Sequence, residues 1–369
     1  MKKTVLMAAV VACSLWSCKE TSKTEESAKL YSPNNTNIFA ISGRTDARDS
    51  ALVMISPASR ITFKHKGQDT ITVYAKTDLK DEHAFLGLVT NKEYKKRLRI
   101  EGDTVNTIQI PLSETDTLVE LYKLTEASTG NLVVNGIKGK NVEKAPTKPS
   151  IKIEFVGNSI TSGFGNDTTA YACGEGSWYD SHNAYYSYAT ISANRLDADF
   201  VLSSISGWGM YRNWDVPGPT VPDVYDNLYL NTDSTKAYTA KNFNPDLVSI
   251  NLGTNDLSEG DGKHERLPFS KKDYVDAYVK FVQHIIDTRD NPEIAILDSP
   301  MVSGERQEIL HECLNNVVDH FKKQDKKIYF FDFETIPETG CGAHPSIEED
   351  KMMADQIVPF YKEILDSKK

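Results

Sequence analysis

The second half of the chain opens with a short apolar segment that ends in a polar turn: residues 151–161 read IKIEFVGNSIT. Further short apolar segments of this kind follow at residues 200–203, 247–252, 293–297 and 328–331. Segments with a helical period separate them. Strands that alternate with helices are typical of a parallel sheet that is covered on both faces. The sequence therefore predicts an α/β domain with a five-stranded parallel sheet between two layers of helices.

The helical segments are recognised by their apolar stripes. Ser270, with Asp273 three residues later, has the spacing of a capping box and marks the start of one helix. Apolar side chains then recur at intervals of three and four residues, which places them on one buried face. The three predicted stripes are Tyr274, Tyr278, Phe281 and Ile285; Leu310, Leu314, Val317 and Phe321; and Met353, Ile357, Phe360 and Ile364.

The region before residue 146 has a different pattern. Apolar residues alternate with polar ones, as in Ile61 and Phe63 or Ile71 and Val73, and turn-rich stretches separate the alternating segments. This pattern predicts an antiparallel β-sandwich of about 100 residues. The proline-containing stretch at residues 145–150 (APTKPS) marks its end. We therefore expect a sandwich over residues 37–145 and the α/β domain over residues 146–369.

The first residues have the features of an export signal. Lys2 and Lys3 precede an uncharged segment that is too short to span a bilayer, so residues 1–17 are predicted to be a signal peptide. Residues 15–18 (LWSC) resemble a bacterial lipobox, in which Cys18 is lipidated after cleavage. Residues 18–36 are polar and are predicted to form a solvated tether. Together these features predict an exported, membrane-anchored lipoprotein of the outer membrane, facing either the periplasm or the exterior. The alternative is cleavage at another position, which leaves Cys18 an ordinary thiol.

The charge balance restricts the partner. The chain of 369 residues has 42 Lys and Arg against 52 Asp and Glu, a formal net charge of −10, and no basic cluster interrupts this balance. The negative phosphates of nucleic acid bind to positively charged protein surfaces. Nucleic acid is therefore excluded as the expected ligand of this acidic chain. A neutral substrate fits such a surface. The sequence does not predict the oligomeric state.

Unusual polar motifs follow the predicted strands. In an open parallel sheet, ligands bind outside the carboxyl ends of the strands, so motifs at these positions predict one site at one edge of the sheet. Each motif alone is typical of an ordinary turn or helix cap. In chain order they are GNSIT at residues 157–161, SGWG at 206–209, GTND at 253–256 and AHPS at 343–346.

These motifs resemble those of the SGNH hydrolases, whose four blocks centre on Ser, Gly, Asn and His in that order. The architecture is similar to carbohydrate esterase family 2, in which a small jelly-roll-like β-sandwich precedes the SGNH domain. The resemblance implies removal of O-acetyl groups from plant polysaccharides such as xylan and glucomannan, without a cofactor or metal. It also implies that Ser159 is the nucleophile and His344 its base, and that the oxyanion is bound by the backbone N–H groups of Ser159 and Gly207 and by the amide of Asn255.

Two positions differ from the common SGNH pattern. Asn158 replaces the usual Asp before the nucleophile, and Cys341 and Gly342 stand where the acid of a catalytic triad is expected. A backbone carbonyl is able to accept a hydrogen bond from the histidine Nδ1–H and fix the same tautomer. Our working hypothesis is therefore a dyad of Ser159 and His344. The competing hypothesis is a relic site in a lipoprotein that only binds glycans.

The remaining expectations concern aromatic residues and cysteines. Trp178, Trp208 and Trp214 are either sugar-stacking platforms or core residues, and we expect Trp208 and Trp178 to contact substrate. In an oxidising compartment Cys173 and Cys341 are able to form a disulfide, and the sequence leaves open whether they do. Cys313 lies beside an apolar stripe and is expected to be a buried thiol. A lipase-like or thioesterase-like activity on another acyl ester is the second enzymatic alternative.

Overall fold

The computed structural model describes residues 27–215, 217–233, 235–266 and 268–367. The predicted signal peptide, Cys18 and residues 19–26 of the predicted tether lie outside this part of the chain. No helix within the described residues has the length and apolar character needed to cross a bilayer.

Two antiparallel sheets form the first half of the described chain. Their strands are β1 (Lys29–Tyr31), β2 (Ala40–Ser42), β3 (Thr45–Arg48), β4 (Ala51–Met54), β5 (Arg60–His65), β6 (Asp69–Thr77), β7 (His83–Thr90), β8 (Glu93–Glu101), β9 (Asn106–Leu112), β10 (Leu118–Lys123), β11 (Leu132–Gly139) and β12 (Val142–Glu143). One sheet has the order β3-β4-β11-β6-β9 with β1 also on β11, and the other has β12-β5-β10-β7-β8 with β2 also on β5. Alternate side chains of both sheets, such as Ile61, Phe63, Ile71 and Val73, meet in one apolar core.

Strand β1 lies within the stretch that the sequence predicted as a solvated tether. Its residues pair with β11, and the ring of Tyr31 packs edge-on against Phe39 at 6.3 Å between ring centres. The side chain of Asn34 then donates to the backbone oxygen of Ala51 at 2.7 Å. Residues 29–31 therefore belong to the sandwich, because one aromatic side chain and a free backbone edge are sufficient to attach an otherwise polar segment.

The second half is an α/β domain. Its strands are β13 (Lys152–Gly157), β14 (Asp199–Ser204), β15 (Leu247–Asn251), β16 (Glu293–Leu297) and β17 (Ile328–Phe331), and all pair in parallel in the order β14-β13-β15-β16-β17. Its helices are α1 (Ser159–Ser162), α2 (Tyr188–Arg195), α3 (Val221–Val224), α4 (Thr254–Leu257), α5 (Lys271–Thr288), α6 (Glu305–Lys322) and α7 (Ile347–Ser367). The predicted fold class, a five-stranded parallel sheet preceded by an antiparallel sandwich, is confirmed.

The two faces of the parallel sheet bury different helices. Helices α2 and α7 cover one face, where Phe155 packs against Tyr188 and Tyr361. Helices α5 and α6 cover the other face, where Ile250 shares a core with Tyr278. Helix α5 begins as predicted, because the Ser270 hydroxyl accepts a hydrogen bond from the backbone N–H of Asp273. The predicted stripes are buried except for Phe360, which is half-buried, while its neighbour Tyr361 is fully buried.

The sandwich packs directly against the α/β domain. Phe85, Tyr122 and Leu124 of the sandwich belong to the same buried cluster as Phe200 of β14. Arg44, in the turn between β2 and β3, crosses this interface and is fully buried. Its guanidinium donates to the backbone oxygens of two residues of the α/β domain, at 2.9 Å and 2.7 Å, and to the Ser203 hydroxyl.

The same guanidinium lies 3.5 Å from the fully buried carboxylate of Glu154 on β13. Truncation of one partner of a buried ion pair leaves the other charge without compensation. Arg289 lies 3.9 Å from the same carboxylate and compensates part of that charge. Arg44 is therefore an anchor of the interface between the two domains.

We expect Arg44→Ala to lower the free energy of unfolding by about 3 kcal/mol, the lower end of the range for a broken buried ion pair, because Arg289 remains. Urea unfolding followed by circular dichroism measures this change. Arg195→Ala is the control, since its ion pair with Asp355 is solvent-exposed and its loss is expected to cost less than about 1 kcal/mol. Equal losses in the two variants would show that Arg44 does not anchor the interface.

Candidate active site

Three neighbouring strands of the parallel sheet end at the same level. Gly157, the last residue of β13, is paired with Ser204 at the end of β14 and with Asn251 at the end of β15. The backbone N–H of Ile205 then donates to the Gly157 oxygen at 3.2 Å. The loops that carry three of the four predicted motifs therefore start side by side at the carboxyl edge of the sheet.

Ser159 is the first residue of the short helix α1. The side chain of Asn158 caps this helix by accepting a hydrogen bond from the Ile160 N–H at 3.1 Å. An aspartate oxygen would make the same contact, so the asparagine preserves the turn geometry. Only glycine fits before it, because a Cβ on Gly157 would lie 2.0 Å from the Thr161 hydroxyl. The turn thus fixes where the Ser159 hydroxyl emerges.

The structure brings Ser159 and His344 together. The Ser159 Oγ lies 2.7 Å from the His344 Nε2, although 185 residues separate them in the chain. The other ring nitrogen, Nδ1, lies 2.9 Å from the backbone oxygen of Gly342. A carbonyl oxygen only accepts, so Nδ1 carries the proton and Nε2 is left as the acceptor for the serine hydroxyl. This tautomer is the one that a general base needs.

The electrostatic surroundings keep His344 neutral. Burial lowers the pKa of its imidazole, while the hydrogen bond to Gly342 and a contact with the backbone of Cys341 act in the opposite direction. The ring of Phe164 packs over His344 at 4.3 Å between ring centres and supplies part of this burial. A neutral imidazole is the form that accepts a proton.

A disulfide and a tight turn hold the segment before His344. Cys341 is bonded to Cys173, a bridge that the sequence left open, and its N–H donates to the Gly165 oxygen at 2.9 Å. Gly342 and Ala343 both have positive φ, at 63° and 55°. The left-handed region is favourable for glycine and costly for alanine, so the disulfide and the surrounding hydrogen bonds stabilise the turn that aims the Gly342 carbonyl at the ring. Cys313 on α6 is a buried free thiol, as expected.

Gly207 and Asn255 lie on the two loops that flank β13. Gly207 has φ of 78°, and a Cβ placed there would have no atom within 4 Å, so its position faces open space. The Asn255 amide donates one hydrogen to the backbone oxygen of Trp208 at 2.8 Å and keeps a second hydrogen available. This bond joins the two predicted oxyanion-binding loops.

Asp256 holds the same two loops together and was given no role by the sequence. Its fully buried carboxylate accepts hydrogen bonds from the backbone N–H groups of Met210, Tyr211 and Arg212, at 2.9, 2.8 and 3.1 Å. Burial raises its pKa, and the three N–H groups oppose that shift. The aspartate of the GTND motif is therefore a loop clamp.

An aromatic cluster lies beside His344. Phe164 stacks on Trp178 at 6.0 Å and contacts the ring of His182 at 4.4 Å. Burial lowers the pKa of His182 well below the usual range, and the nearby His344 adds to this effect. Trp178 is 53% exposed, whereas Trp208 is half-buried against the apolar core. The sequence offered no signal for Phe164 and His182, since neither belongs to a motif.

The sandwich supports the loop that carries Trp178. Arg97 of β8 donates to the backbone oxygens of Asp180 and His182. His83 of β7 pairs with the Asp180 carboxylate in a buried contact. The aromatic side of the site is therefore positioned by residues of the other domain.

Asp298, His311 and Asp332 have potential metal-ligating atoms within 4.8 Å of one another. The His311 ring lies 3.1 Å from the Asp298 carboxylate and 3.3 Å from that of Asp332, and Asp298 also accepts the Phe333 N–H. Burial raises the pKa of Asp298 to about 6. These contacts describe a hydrogen-bonded cluster, and the chemistry of Ser159 uses none of its members.

Taken together, these groups have the geometry for acyl transfer. A hydroxyl contacts a neutral imidazole, and the Gly342 carbonyl orients that imidazole. Predicted residues Ser159 and His344 meet directly, while Gly207 and Asn255 are joined to each other through the Trp208 carbonyl.

Comparison with known proteins places this geometry in a family. Residues 153–357, more than half of the chain, match the family described as GDSL-like Lipase/Acylhydrolase. Two proteins of Cellvibrio japonicus (strain Ueda107), both described as acetylxylan esterase / glucomannan deacetylase, are similar to the chain. One is 28% identical over 247 residues, which cover 65% of this chain and 67% of the relative. The other is 22% identical over 364 residues, which cover 95% of this chain and 96% of the relative.

A solved structure is similar over nearly the same extent. The family two carbohydrate esterase from Clostridium thermocellum, in complex with cellohexaose, has a TM-score of 0.79 at 25% identity and covers 89% of this chain and 99% of its own. The resemblance drawn from the motifs, to the SGNH hydrolases and to carbohydrate esterase family 2, is confirmed. Since the family match spans most of the α/β domain, this chain belongs to the GDSL-like lipase/acylhydrolase family.

Proposed function

We propose that this protein is a carbohydrate O-acetyl esterase that removes acetyl groups from polysaccharides or oligosaccharides such as xylan and glucomannan. The observation that carries the proposal is the 2.7 Å contact between the Ser159 Oγ and a His344 Nε2 whose tautomer is fixed by Gly342. The acetylxylan esterases of Cellvibrio japonicus support the choice of an acetyl ester. The intact contact favours catalysis over a relic site that only binds glycans.

In the first half-reaction, His344 accepts the proton of the Ser159 hydroxyl while the oxygen attacks the acetyl carbonyl. The carbonyl oxygen becomes an oxyanion. His344 then donates the proton to the departing sugar oxygen, and an acetyl-enzyme remains. The Gly342 carbonyl keeps the ring oriented throughout and interacts favourably with the imidazolium that forms.

The oxyanion requires donors that are in place before the charge develops. We assign the backbone N–H groups of Ser159 and Gly207 and the second amide hydrogen of Asn255 to this role. The left-handed conformation of Gly207 and the bond from Asn255 to Trp208 support the assignment, because both groups are fixed without substrate. In the second half-reaction, His344 accepts a proton from water while the water oxygen attacks the acetyl carbonyl. The bond to the Ser159 Oγ then breaks, His344 returns the proton to that oxygen, and acetate leaves.

Substrate contacts follow from exposure and charge. Trp178 presents an exposed indole beside the dyad and is proposed to stack on a sugar ring, with the half-buried Trp208 contributing its exposed edge. The cellohexaose complex of the relative from Clostridium thermocellum supports a glucan-like chain as a ligand. The net charge of −10 suits a neutral polysaccharide.

We further propose that the protein is exported and anchored to the outer membrane through a lipid on Cys18. The charged start, the apolar segment and the LWSC sequence at residues 15–18 support this localisation. The Cys173–Cys341 disulfide supports it independently, because disulfides persist in oxidising compartments outside the cytoplasm.

We expect Ser159→Ala and His344→Ala each to lower kcat for acetate release by at least about 10⁴-fold, and Asn255→Ala to lower it by about 100- to 1000-fold. Acetate release is measured from p-nitrophenyl acetate and from acetylated xylan and glucomannan. Lys322→Ala, an exposed change on α6, is the control and should retain wild-type activity.

Activity that survives in Ser159→Ala would remove the proposed nucleophile. An inactive wild type that still binds xylan would support the glycan-binding alternative. A series of p-nitrophenyl esters from acetate to octanoate tests the other acyl substrates, and a preference for the long chains would contradict an acetyl esterase.

We expect kcat/KM for p-nitrophenyl acetate to be constant at neutral pH and to fall at acid pH. Protonated His344 is unable to accept the serine proton, and burial lowers its pKa, so the midpoint of the fall lies below the usual histidine range. Phe164→Ala uncovers the ring and should shift the midpoint toward higher pH. A wild-type midpoint above the usual range, or no shift in this variant, would contradict the proposed role of burial.

We expect Cys18→Ser to abolish labelling of the protein by radioactive palmitate and to move it from the membrane to the soluble fraction. Cys13→Ser, in the segment that is predicted to be removed, is the matched control and should be labelled as the wild type is. Labelling that persists in Cys18→Ser would place the anchor elsewhere.

A further inference from the structure

A carboxylate of the sandwich is buried at the active-site edge of the other domain. Glu126 lies between β10 and β11, just before the 3-10 turn Ala127–Thr129, and is fully buried. A buried carboxylate is costly unless its oxygens are hydrogen-bonded, so its partners indicate what it does. None of the sequence motifs includes it.

The partners of Glu126 are parts of the esterase site. Its Oε2 accepts a hydrogen bond from the backbone N–H of Ser206 at 2.7 Å. The Ser162 hydroxyl lies 3.3 Å from the same oxygen. Ser206 directly precedes Gly207, and Ser162 is the last residue of the helix that Ser159 begins. One oxygen of the sandwich therefore contacts both the nucleophile helix and the loop that carries a proposed oxyanion donor.

The backbone of Glu126 is itself fixed. The buried Lys123 ammonium donates to the backbone oxygens of Thr125 and Glu126, at 2.9 Å and 2.6 Å. The Thr129 hydroxyl also donates to the backbone oxygen of Glu126, at 2.9 Å. Leu124 on the same loop accepts the N–H of Ala184 from the α/β domain at 3.0 Å. The loop is therefore a rigid support and not a flexible arm.

Several bonds hold the oxyanion loop in place. The Ile205 N–H donates to the Gly157 oxygen at 3.2 Å, and the Gly207 oxygen accepts the Trp214 N–H at 2.7 Å. The hydrogen bond from the Ser206 N–H to Glu126 lies between these two anchors along the chain. Ser206 directly precedes Gly207, whose N–H is the proposed oxyanion donor. Of these anchors, Glu126 is the one that comes from the sandwich.

We infer that Glu126 is a positioning residue of the esterase reaction, through which the sandwich holds the Gly207 N–H in the oxyanion hole. The inference rests on the proposed function, in which Gly207 stabilises the oxyanion. Such a contact acts mainly in the transition state, because the negative charge develops there. Its loss lowers kcat more than it raises KM.

We expect Glu126→Ala to lower kcat for p-nitrophenyl acetate by about 10- to 100-fold. A displaced Gly207 N–H still provides part of the oxyanion stabilisation, whereas a deleted donor provides none. KM should change by less than about twofold. Affinity for a boronic acid that forms a tetrahedral adduct with Ser159 should fall by a similar factor to kcat. Glu126→Gln should stay within about threefold of the wild type, because an amide oxygen accepts the same bond from Ser206.

The matched control is Glu120→Ala. Glu120 is a half-buried carboxylate of the sandwich, on β10, and its partners are Arg60 and the Tyr122 hydroxyl. Thermal unfolding of each variant separates lost stability from lost positioning. If Glu126→Ala does not fold, Glu126→Asp keeps the charge but withdraws the oxygen from Ser206, and it should show the loss in kcat that Glu126→Gln does not.

The inference is overturned if Glu126→Ala or Glu126→Asp retains wild-type kcat, or if Glu120→Ala lowers kcat as much at an equal loss of stability. It is also overturned if Glu126→Gln loses as much activity as Glu126→Ala. If the proposed function is wrong, the result is different: acetate release does not depend on Ser159, either in the wild type or in the Glu126 variants.

Discussion

Apolar contact between the sandwich and strand β14 is the constraint on which the rest of the molecule depends. Phe85, Tyr122 and Phe200 share one buried apolar cluster at the boundary between the domains. Polar groups at an exposed boundary would contribute little, because water screens them. At this buried boundary Arg44 and Glu126 have defined partners, and hydrogen bonds are electrostatically stronger in such surroundings than in water. The apolar contact therefore comes first, and the polar contacts that shape the site follow from it.

The chemistry combines an uncharged orienting group with rigid donors. In a triad with an aspartate, a full negative charge stabilises the imidazolium. Here the partner of His344 is a carbonyl dipole, which gives the correct tautomer but less charge stabilisation. In the proposed mechanism, more of the transition-state stabilisation then falls on the oxyanion donors Gly207 and Asn255, whose loops are held by Glu126 and the Trp208 carbonyl. A site with a dyad is therefore expected to depend closely on the geometry of the loops that carry the oxyanion donors.

The elements with a strong periodic pattern were predictable from the sequence. The five parallel strands begin within one residue of the predicted positions, since short apolar runs between turns have few alternatives. Ser159 and His344 were predictable because their motifs follow strands that end at one edge. Glu126 and Phe164 were not, because their roles arise from contacts across distant parts of the chain that leave no local pattern. Strand β1 was missed because a short edge strand needs only backbone partners and one ring.

The group that orients His344 belongs to the main chain. Every amino acid has a carbonyl, so no single codon change at position 342 deletes the acceptor in the way that replacing an aspartate deletes a triad acid. A substitution in this turn is able to disturb its conformation instead, because Gly342 and Ala343 both have positive φ angles. Descendants of this enzyme are therefore free to change the residue at position 342, provided that it still tolerates a left-handed backbone.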